Sequence, residues 1–469
     1  MKRMMLSLVK PKVLLPLDDN FRPAVLWNHT FLDNVYSSKK SAPLSIAIKK
    51  EDDSALVYKT QIFSGESNYA SSNYFYVEQL IKTLLWIYGG YKIIIGGPKQ
   101  IGEYIKKVYS KEGKHAFDVK FMSAIYGKSF TVEVSDTKKI PTAREKSVSL
   151  GGHLEGCRIG FDLGASDRKV SAIIDGKVVF SEEVTWNPSE QTNPDYHYRE
   201  IKSMLRRAAA HMPRVDAIGG SSAGIYINNR VMNASIFRAI PPDLFENKVK
   251  NIFLDIQKEW GVPFKVINDG EVAALAGSMS LKKNAILGIA MGSSEAVGYI
   301  NKKGNINAWL NELAFVTIDF NSEAPVDEWS GDRGCGVQYF SQVAVIRLAK
   351  RAGIILNKKQ TLAEKLKFIQ ELMAKGDDRA KKIFETVGCY LGYGIAYYAD
   401  FYKIGTILIL GRVTSGEGGQ IILKKAEQVL NEEFPKLSSK TTLYLPDESS
   451  RRVGQSIAAA SLPIIDGNG

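Results

Sequence analysis

Apolar residues recur at helical spacing in the first part of the chain, between Val77 and Tyr88, where two glycines end the pattern. The apolar run at 91–95 predicts a short strand, and the residues after it predict a second helix that ends near Tyr109. A helix, a strand and a helix in this order predict a small α/β domain. The pattern gives no indication of what this domain does.

A polar and basic stretch over residues 137–154 has no sustained apolar period, so we interpret it as a linker. Three short apolar runs follow it. Asp175-Gly176, between the second run and the third, is a strong signal for a two-residue hairpin turn. Three antiparallel strands are therefore expected to open the region after the linker.

Helical and strand patterns alternate over the rest of the chain, which favours an α/β fold. The predicted helices lie near 199–211, 247–260, 271–280, 337–352, 362–374, 380–402 and 452–460, and a further one follows a glycine-rich loop and ends at Leu430. The predicted strands lie near 215–219, 264–267, 284–291, 295–300, 406–410 and 442–445.

The composition is that of an ordinary globular protein, with 469 residues of which 45% are hydrophobic and 24% are charged. No apolar run approaches the roughly 20 residues that span a bilayer, and Lys10 interrupts the first apolar stretch too early for a secretory signal. The three cysteines form no C-x-x-C pair, so a disulfide framework is not supported. We therefore expect a soluble, cytoplasmic protein that does not bind membranes.

The net charge of +12 could favour an anionic small molecule or nucleic acid. The basic residues are scattered, however, and do not form the run of like charges that marks a nucleic-acid tail. Nucleic acid is therefore an unlikely partner on this pattern, and a solvated basic surface explains the charge.

Three loops that each follow a predicted strand carry residues able to hold phosphate. The first contains Gly164, Ala165, Ser166 and Lys169 after Asp162, whose carboxylate could hold Mg²⁺ through water. The second and third loops contain Gly292-Ser293-Ser294 and Gly411-Arg412. A single loop of this kind is more typical of a structural turn, but three together form a pattern that indicates nucleotide binding.

These segments resemble the actin/hexokinase/Hsp70 ATPase superfamily, and within it the ROK family of bacterial sugar kinases and sugar-responsive repressors. The resemblance covers about residues 157–463, and its most specific match is 266–276, similar to the family's Asn-Asp segment and the Ala-rich connecting helix after it. It implies an α/β protein with two ribonuclease-H-like lobes and an interlobe cleft. We place the lobes at 151–280 and 281–469, after an accessory N-terminal α/β domain at 1–150.

The resemblance also implies roles for single residues, with ATP and Mg²⁺ as cofactors and a sugar as substrate. Asp269 would be the general base, because phosphoryl transfer needs a group that accepts the proton of the attacking hydroxyl. On the residues alone, Asp269 could instead cap the helix that begins near Glu271. Asn233, Asn268 and Glu312 would bind the sugar, although each asparagine could equally stabilise a turn. The nucleotide and its phosphates would contact Asp162, Gly164, Ala165, Ser166, Lys169, Gly292, Ser293, Ser294, Gly411 and Arg412.

The chain departs from the family at three places. Phe315 stands where the family has a zinc-binding His, and only Cys335 remains of the zinc-binding cysteines, so we expect no zinc site. The same His normally touches the sugar, so its loss puts the usual glucose-type specificity in question. Glu295 follows the second phosphate loop, where it would repel a triphosphate unless a metal or a basic residue intervened.

The function that we expect is ATP-dependent phosphorylation of a hexose-type sugar hydroxyl. The alternative is a catalytically impaired regulator that binds a sugar or metabolite on the same fold, although no N-terminal helix-turn-helix is evident. Two further readings are an ATPase like the activators of 2-hydroxyacyl-CoA dehydratases, for which the cysteines are not suitably spaced, and nucleic-acid binding by the N-terminal domain. The sequence also leaves a homodimer open.

Overall fold

The computed structural model describes residues 4–51, 54–144, 147–148, 151–446 and 448–465. Four β-sheets, of four, two, five and six strands, organise these residues. The mixed α/β class expected from the alternating pattern is confirmed. Within the described residues, no helix is both long enough and apolar enough to cross a membrane.

Residues 4–144 form an α/β domain with a four-stranded sheet in the order β2-β1-β3-β4. Its helices are α1 (Ala24–Ser37), α2 (Ser72–Tyr88), α3 (Lys99–Val108) and α4 (Ala116–Tyr126). Its strands are β1 (Ser41–Glu51), β2 (Ser54–Phe63), β3 (Lys92–Gly96) and β4 (Thr131–Ser135), and β5 (Ser147–Val148) follows them. The predicted helix–strand–helix unit is α2, β3 and α3, and α2 ends before Gly89 as expected.

The first lobe contains a five-stranded sheet in the order β12-β9-β6-β7-β8. Its strands, together with the separate hairpin β10–β11, are β6 (Cys157–Leu163), β7 (Asp167–Ile174), β8 (Lys177–Thr185), β9 (Ala217–Ser222), β10 (Ile225–Ile227), β11 (Arg230–Asn233) and β12 (Phe264–Asn268). Its helices are α5 (Pro194–Ala209), the short α6 (Pro242–Leu244), α7 (Ile252–Trp260) and α8 (Asp269–Leu281). The three predicted antiparallel strands are β6, β7 and β8.

The second lobe contains a six-stranded sheet in the order β17-β16-β13-β14-β15-β5. Its further strands are β13 (Ile286–Met291), β14 (Glu295–Ile300), β15 (Ile306–Asn307), β16 (Thr406–Leu410) and β17 (Thr442–Tyr444). Its helices are α9 (Gln342–Arg351), α10 (Leu362–Ala374), α11 (Asp378–Tyr398), α12 (Glu417–Glu433) and α13 (Pro435–Ser438), and α14 (Glu448–Ala460) ends the chain's regular structure. Both sheets contain three antiparallel strands that continue into two parallel ones, and the second-lobe sheet has β5 as a further antiparallel strand at its edge.

Two elements cross the lobe boundaries that we inferred from the sequence. The helix α14, assigned to the second lobe, packs on β6 and β9 of the first lobe and beside α8. The approach is close because the sheet offers glycines there, and a Cβ atom at Gly219 would lie 1.7 Å from the carbonyl oxygen of Ala459. The strand β5 lies in the presumed linker, but it pairs with β15 and so belongs to the second-lobe sheet.

The N-terminal domain shares one hydrophobic core with the second lobe. Main-chain hydrogen bonds join the two, from the Ala24 amide to the Ile318 carbonyl at 2.8 Å and from the Phe320 amide to the Arg22 carbonyl at 2.9 Å. The buried hydroxyl groups of Thr83 and Tyr397 add a hydrogen bond of 2.7 Å. The domain is therefore packed into the body of the second lobe.

Candidate active site

The carboxyl ends of three neighbouring parallel strands bring Asp162 and Asp269 to one edge of the first-lobe sheet. Asp162 lies near the end of β6, Ser221 lies beside it on β9, and Asp269 comes directly after β12. The Ser221 hydroxyl donates a hydrogen bond of 2.6 Å to the Asp162 carboxylate. Open α/β sheets bind their ligands at this edge, so the topology itself places both acids where a substrate can reach them.

Asp269 is the first residue of α8, and its half-buried carboxylate accepts a hydrogen bond of 3.0 Å from the Gly270 amide and, among the described residues, none from a side chain. Burial, reinforced by the negative charge of Asp162, raises the pKa of Asp269 to about 6. Asn268 supplies the helix cap, with its side-chain oxygen 2.8 Å from the same amide. The helix therefore does not need Asp269 to begin, and the carboxylate is available for chemistry.

Asn268 and Asn233 both lie next to Gly224. The Asn268 amide group donates to the Gly224 carbonyl at 2.8 Å, while its oxygen caps α8, so both ends of this side chain are engaged. Asn233 ends β11 opposite Ile225, and its half-buried side chain makes no hydrogen bond within the described residues. The roles of both residues in sugar binding remain predictions, and Asn233 has the freer side chain.

Glu312 lies in a loop that reaches the first turn of α8. The neighbouring Asn311 donates from its side-chain amide to the Glu271 carboxylate at 3.4 Å, which ties the loop to that helix. The Glu312 carboxylate makes no hydrogen bond within the described residues. Burial, together with the charges of Asp269 and Glu271, raises its pKa to about 7. A carboxylate without a protein partner beside the proposed base is suited to accept hydrogen bonds from a polyhydroxyl ligand.

Glu295 differs from our expectation that it would face and repel a triphosphate. Its side chain is only 4% exposed, accepts a hydrogen bond of 3.2 Å from the Tyr398 hydroxyl, and lies against Gly336, where a Cβ atom would be 2.3 Å from its second oxygen. Burial, reinforced by Glu312, raises its pKa to about 8. Glu295 is therefore mostly neutral at pH 7.

The variant Glu295→Gln should be more stable than the parent protein, but only at higher pH. The pKa of this carboxyl is higher in the folded chain than in the unfolded chain. Below pH 4.5 the group is protonated in both states and does not affect the free energy of unfolding. As the pH rises from 4.5 to about 8, only the unfolded chain loses the proton, so the folded state becomes less stable. Glutamine stays neutral, and each unit of pKa is worth about 1.4 kcal/mol. We expect equal melting temperatures near pH 4.5 and a higher one for the variant at pH 8, by thermal unfolding. The exposed Glu328→Gln is the matched control, and a pH-independent difference would contradict the burial argument.

The first predicted phosphate loop is a tight turn that Trp186 holds. Gly164 donates its amide to the Asp167 carbonyl at 2.9 Å, and the Trp186 indole donates to the Gly164 carbonyl at 2.9 Å. Ala165 and Ser166 are exposed at the tip of the turn, where the Ser166 hydroxyl donates to Asp167. Lys169 lies directly across from Asp162 on β7 and pairs with Asp167 at 3.5 Å.

Mg²⁺ fits the edge of this loop. The Asp162 carboxyl is half-buried, and burial raises its pKa even though Ser221 and Lys169 oppose the shift. A buried carboxyl with a raised pKa gains most from a cation that stabilises its charged form. Oxygen ligands and retained water molecules are what Mg²⁺ prefers.

The second and third predicted loops lie side by side. The strands β13 and β16 are parallel neighbours, so Gly292 and Gly411 follow adjacent strand ends. Gly411 has a positive φ of 97°, and a Cβ atom there would lie 2.3 Å from the Met291 carbonyl oxygen, so only glycine fits. Ser293 and Ser294 are exposed, and so is Arg412, whose carbonyl accepts a hydrogen bond of 2.8 Å from Gln370. The two loops thus lie together with exposed residues, and their role in binding a nucleotide stays a prediction.

Phe315, at the position of the family's zinc-binding His, packs on the N-terminal domain. Its ring stacks on Trp86 of α2 with 4.2 Å between ring centroids. Cys335 is fully buried, and burial raises its pKa to about 12, against the effect of the nearby Lys82. The thiol is therefore protonated at neutral pH.

Three side chains close to Cys335 have a metal-compatible arrangement, namely those of His115, Asp118 and Asp332. The ammonium group of Lys82 already lies among them, in an ion pair with Asp332 and 3.8 Å from Asp118. Although burial opposes its charge, these acids raise the pKa of Lys82. The cation that stabilises this buried acidic group is thus a lysine of the N-terminal domain.

Sequence reasoning did not identify Glu271, Asn311 and Trp86 as parts of this site. Glu271 reads as an ordinary acid in a first helical turn, although burial raises its pKa to about 7. Asn311 has a positive φ of 53°, which no sequence pattern reveals. Trp86 lies within the apolar helical pattern between Val77 and Tyr88, which indicates packing alone, and its contact with Phe315 joins residues more than two hundred positions apart. The sequence offered one weak signal, since Asn311 directly precedes Glu312.

Comparisons with known proteins agree on one family. The ROK family model matches residues 158–446. The structure is similar to a ROK family glucokinase from Streptomyces griseus in complex with glucose and AMPPNP, at 19% identity and a TM-score of 0.50, covering 66% of this chain and 99% of that one. No curated protein sequence matches the chain.

Two further solved structures have the same fold. A ROK hexokinase from Thermus thermophilus is 17% identical with a TM-score of 0.51, covering 65% of this chain and 97% of that one. A ROK family transcriptional regulator, a homolog of the E. coli MLC protein, is 18% identical with a TM-score of 0.54, covering 66% of this chain and 78% of that one. At these identities the likenesses establish the fold, the two-lobed one of hexokinases.

Proposed function

Since the chain belongs to the ROK family, we propose that it phosphorylates a hydroxyl group of a hexose-type sugar with ATP. The observation that carries this proposal is the Asp269 carboxylate. It lies at the substrate edge of the first-lobe sheet beside Asp162, has no side-chain partner among the described residues, and has a pKa raised to about 6. A base with a pKa slightly below neutral is ionised at pH 7 and can still accept a proton effectively.

Residues of this chain can be assigned to sugar binding, proton transfer, Mg²⁺ binding and nucleotide binding. Glu312 and Asn233 would hold the sugar hydroxyls through hydrogen bonds, and Asp269 would accept the proton of the hydroxyl that attacks the γ-phosphorus. Asp162 would hold Mg²⁺ through water. When bound, Mg²⁺ supplies positive charge that offsets the charge of the phosphoryl oxygens. The loops at Gly292-Ser293-Ser294 and Gly411 would hold the nucleotide, and Gly164, Ala165 and Ser166 would hold its phosphates from the first lobe.

The test is ADP release from Mg·ATP with hexoses, amino sugars and polyols as acceptors. We expect at least one acceptor to raise ADP release about tenfold or more above the rate without acceptor, since closure of the lobes normally limits transfer to water. Mass spectrometry of the acceptor should then find one added phosphoryl group. ADP release that no acceptor changes would contradict a sugar kinase.

A regulator that binds a sugar without phosphorylating it is the second candidate, and Phe315 is the observation that favours it. The aromatic ring occupies the position of a residue that touches the sugar in the family, and it contributes no hydrogen bond. In that case sugars should raise the melting temperature through binding to the folded state, while ADP release stays at its acceptor-free rate. The screen described above, run together with thermal shifts, separates the two candidates.

A further inference from the structure

The loop that carries Glu312 is attached to the end of α2. The Asn311 amide donates to the Ile87 carbonyl at 2.9 Å, and the Glu312 amide donates to the Trp86 carbonyl at 3.0 Å. Carbonyl groups in the last turn of a helix have no partner within the helix. The end of α2 therefore offers acceptors, and the Glu312 loop takes up two of them.

Asn311 is held in a conformation that is unusual for a residue other than glycine. Its φ of 53° lies in the left-handed region, where asparagine is tolerated better than most residues. The Tyr402 hydroxyl donates to its side-chain oxygen at 2.9 Å, while its amide group reaches Glu271. A backbone conformation of this kind persists only where the surrounding contacts hold it in place. Here the hydrogen bonds of Asn311 fix the conformation of the chain directly before Glu312, and so the direction of the Glu312 side chain.

Trp86 fixes the other side of the same loop. Its ring is fully buried and stacks on Phe315, three residues after Glu312. The indole nitrogen donates to the Asp118 carboxylate at 3.2 Å, and Lys82, one turn earlier on α2, lies 3.8 Å from the same acid. Contacts within the N-terminal domain therefore fix the orientation of the Trp86 ring. Because Phe315 stacks on this ring, they also restrict the position of the loop that carries Glu312.

We propose that the last turn of α2 positions Glu312, so that the N-terminal domain is part of the acceptor site and Trp86 is a positioning residue. The proposal rests on the proposed function for the role of Glu312 in sugar binding. It assigns a task to a domain that lies outside the residues matched by the family model. A loosened loop would present Glu312 poorly to the acceptor, while the nucleotide loops at Gly292 and Gly411 would be unaffected.

The experiment compares Trp86→Leu with Trp27→Leu. Trp27 is an equally buried tryptophan of the same domain, on α1, and its ring packs on Phe31, Phe75 and Phe320 and not on the Glu312 loop. Two readouts are used, namely amide hydrogen exchange of a peptide over 309–316, and KM for the acceptor and for ATP in ADP release.

For Trp86→Leu we expect the rate of amide exchange over 309–316 and the acceptor KM each to rise about tenfold, the size of effect that the loss of one charged hydrogen bond produces. The KM for ATP should stay within about twofold of its value in the parent protein. Trp27→Leu should lower the melting temperature by a similar amount and leave both readouts unchanged. Trp86→Phe, which keeps a ring that can stack on Phe315, should recover most of the acceptor affinity.

Either of two results would overturn the proposal: unchanged exchange and acceptor KM in Trp86→Leu, or equal increases in Trp27→Leu. If Trp86→Leu does not fold, Phe315→Leu, which removes the same stack from the loop side, and Phe320→Leu, which removes a contact of Trp27, are compared by the same readouts. If the parent protein transfers no phosphoryl group, the proposed function fails by itself. Hydrogen exchange and sugar-induced thermal shifts then decide whether Trp86 positions the ligand-binding loop.

Discussion

Asp269→Asn should lower the rate of acceptor-dependent ADP release by about 10² or more, since a positioned general base contributes that much to proton transfer. Asparagine keeps the shape of the side chain and the acceptor for the Gly270 amide, so the start of α8 stays intact. It cannot take up the proton of the attacking hydroxyl. Steady-state kinetics with saturating ATP and acceptor measure the effect on kcat, and the KM values should change little.

Stability measurements separate this effect from a folding defect. Burial raises the pKa of Asp269 to about 6, so its charged form costs stability at pH 7, and the neutral asparagine should melt at the same temperature or higher. The exposed Asp255→Asn in the same lobe is the control and should keep full activity. In the parent protein, kcat should fall as the pH drops below about 6, where the base is protonated. A folded Asp269→Asn protein with unchanged kcat would exclude this residue as the base.

Gly298→Ala should destabilise the protein and reduce its activity together. A Cβ atom at this position of β14 would lie 2.1 Å from the Gly270 carbonyl oxygen, in the first turn of α8. The added Cβ is attached directly to the backbone of β14, and the carbonyl oxygen belongs to the backbone of α8. No side chain can rotate to relieve the clash, so the helix must move away from the strand. Overpacking of this kind costs about 1–3 kcal/mol, which chemical denaturation can measure. Because Asp269 directly precedes Gly270, its carboxylate should move as well, and kcat should fall.

Gly65→Ala is the control for this substitution. A Cβ atom at Gly65 meets only the end of the Gln100 side chain, at 3.7 Å, so its stability and activity should match those of the parent protein. If Gly298→Ala loses stability but keeps its full kcat, the close packing of α8 on β14 is not what holds the base in place.

The regular elements of the two lobes could be predicted because their patterns are local. The Asp-Gly turn at 175–176 and the apolar runs around it predict a hairpin, and the structure has this hairpin as β7 and β8. The N-terminal domain was harder, because β1 and β2 carry many polar residues and helix α1 has no side-chain cap. Its sheet depends on long-range pairing between β1 and β3, which periodicity does not reveal.

The residues of the candidate site were predicted from the resemblance and from their places at strand ends. The shifted pKa values of the acidic residues in and near the site were not predicted. Glu295 is the clearest example. As the first residue of β14 it could face either side of the sheet, and only the positions of Tyr398 and Gly336 decide that it is buried. The raised pKa values of Glu271 and Glu312 likewise depend on neighbours from separate parts of the chain. Contacts of this range are set by packing and leave no mark on local sequence.

The return of α14 to the first lobe means that the polypeptide passes between the two lobes three times, after β5, after α8 and after β17. Adjacent connections of this kind form a hinge, because they permit rotation about one line and resist sliding or twisting. The helices α8 and α14 lie side by side at this line. A hinge closure about this line that brings Gly292 towards Asp162 would displace Asp269, the first residue of α8, less than residues that lie farther from the line.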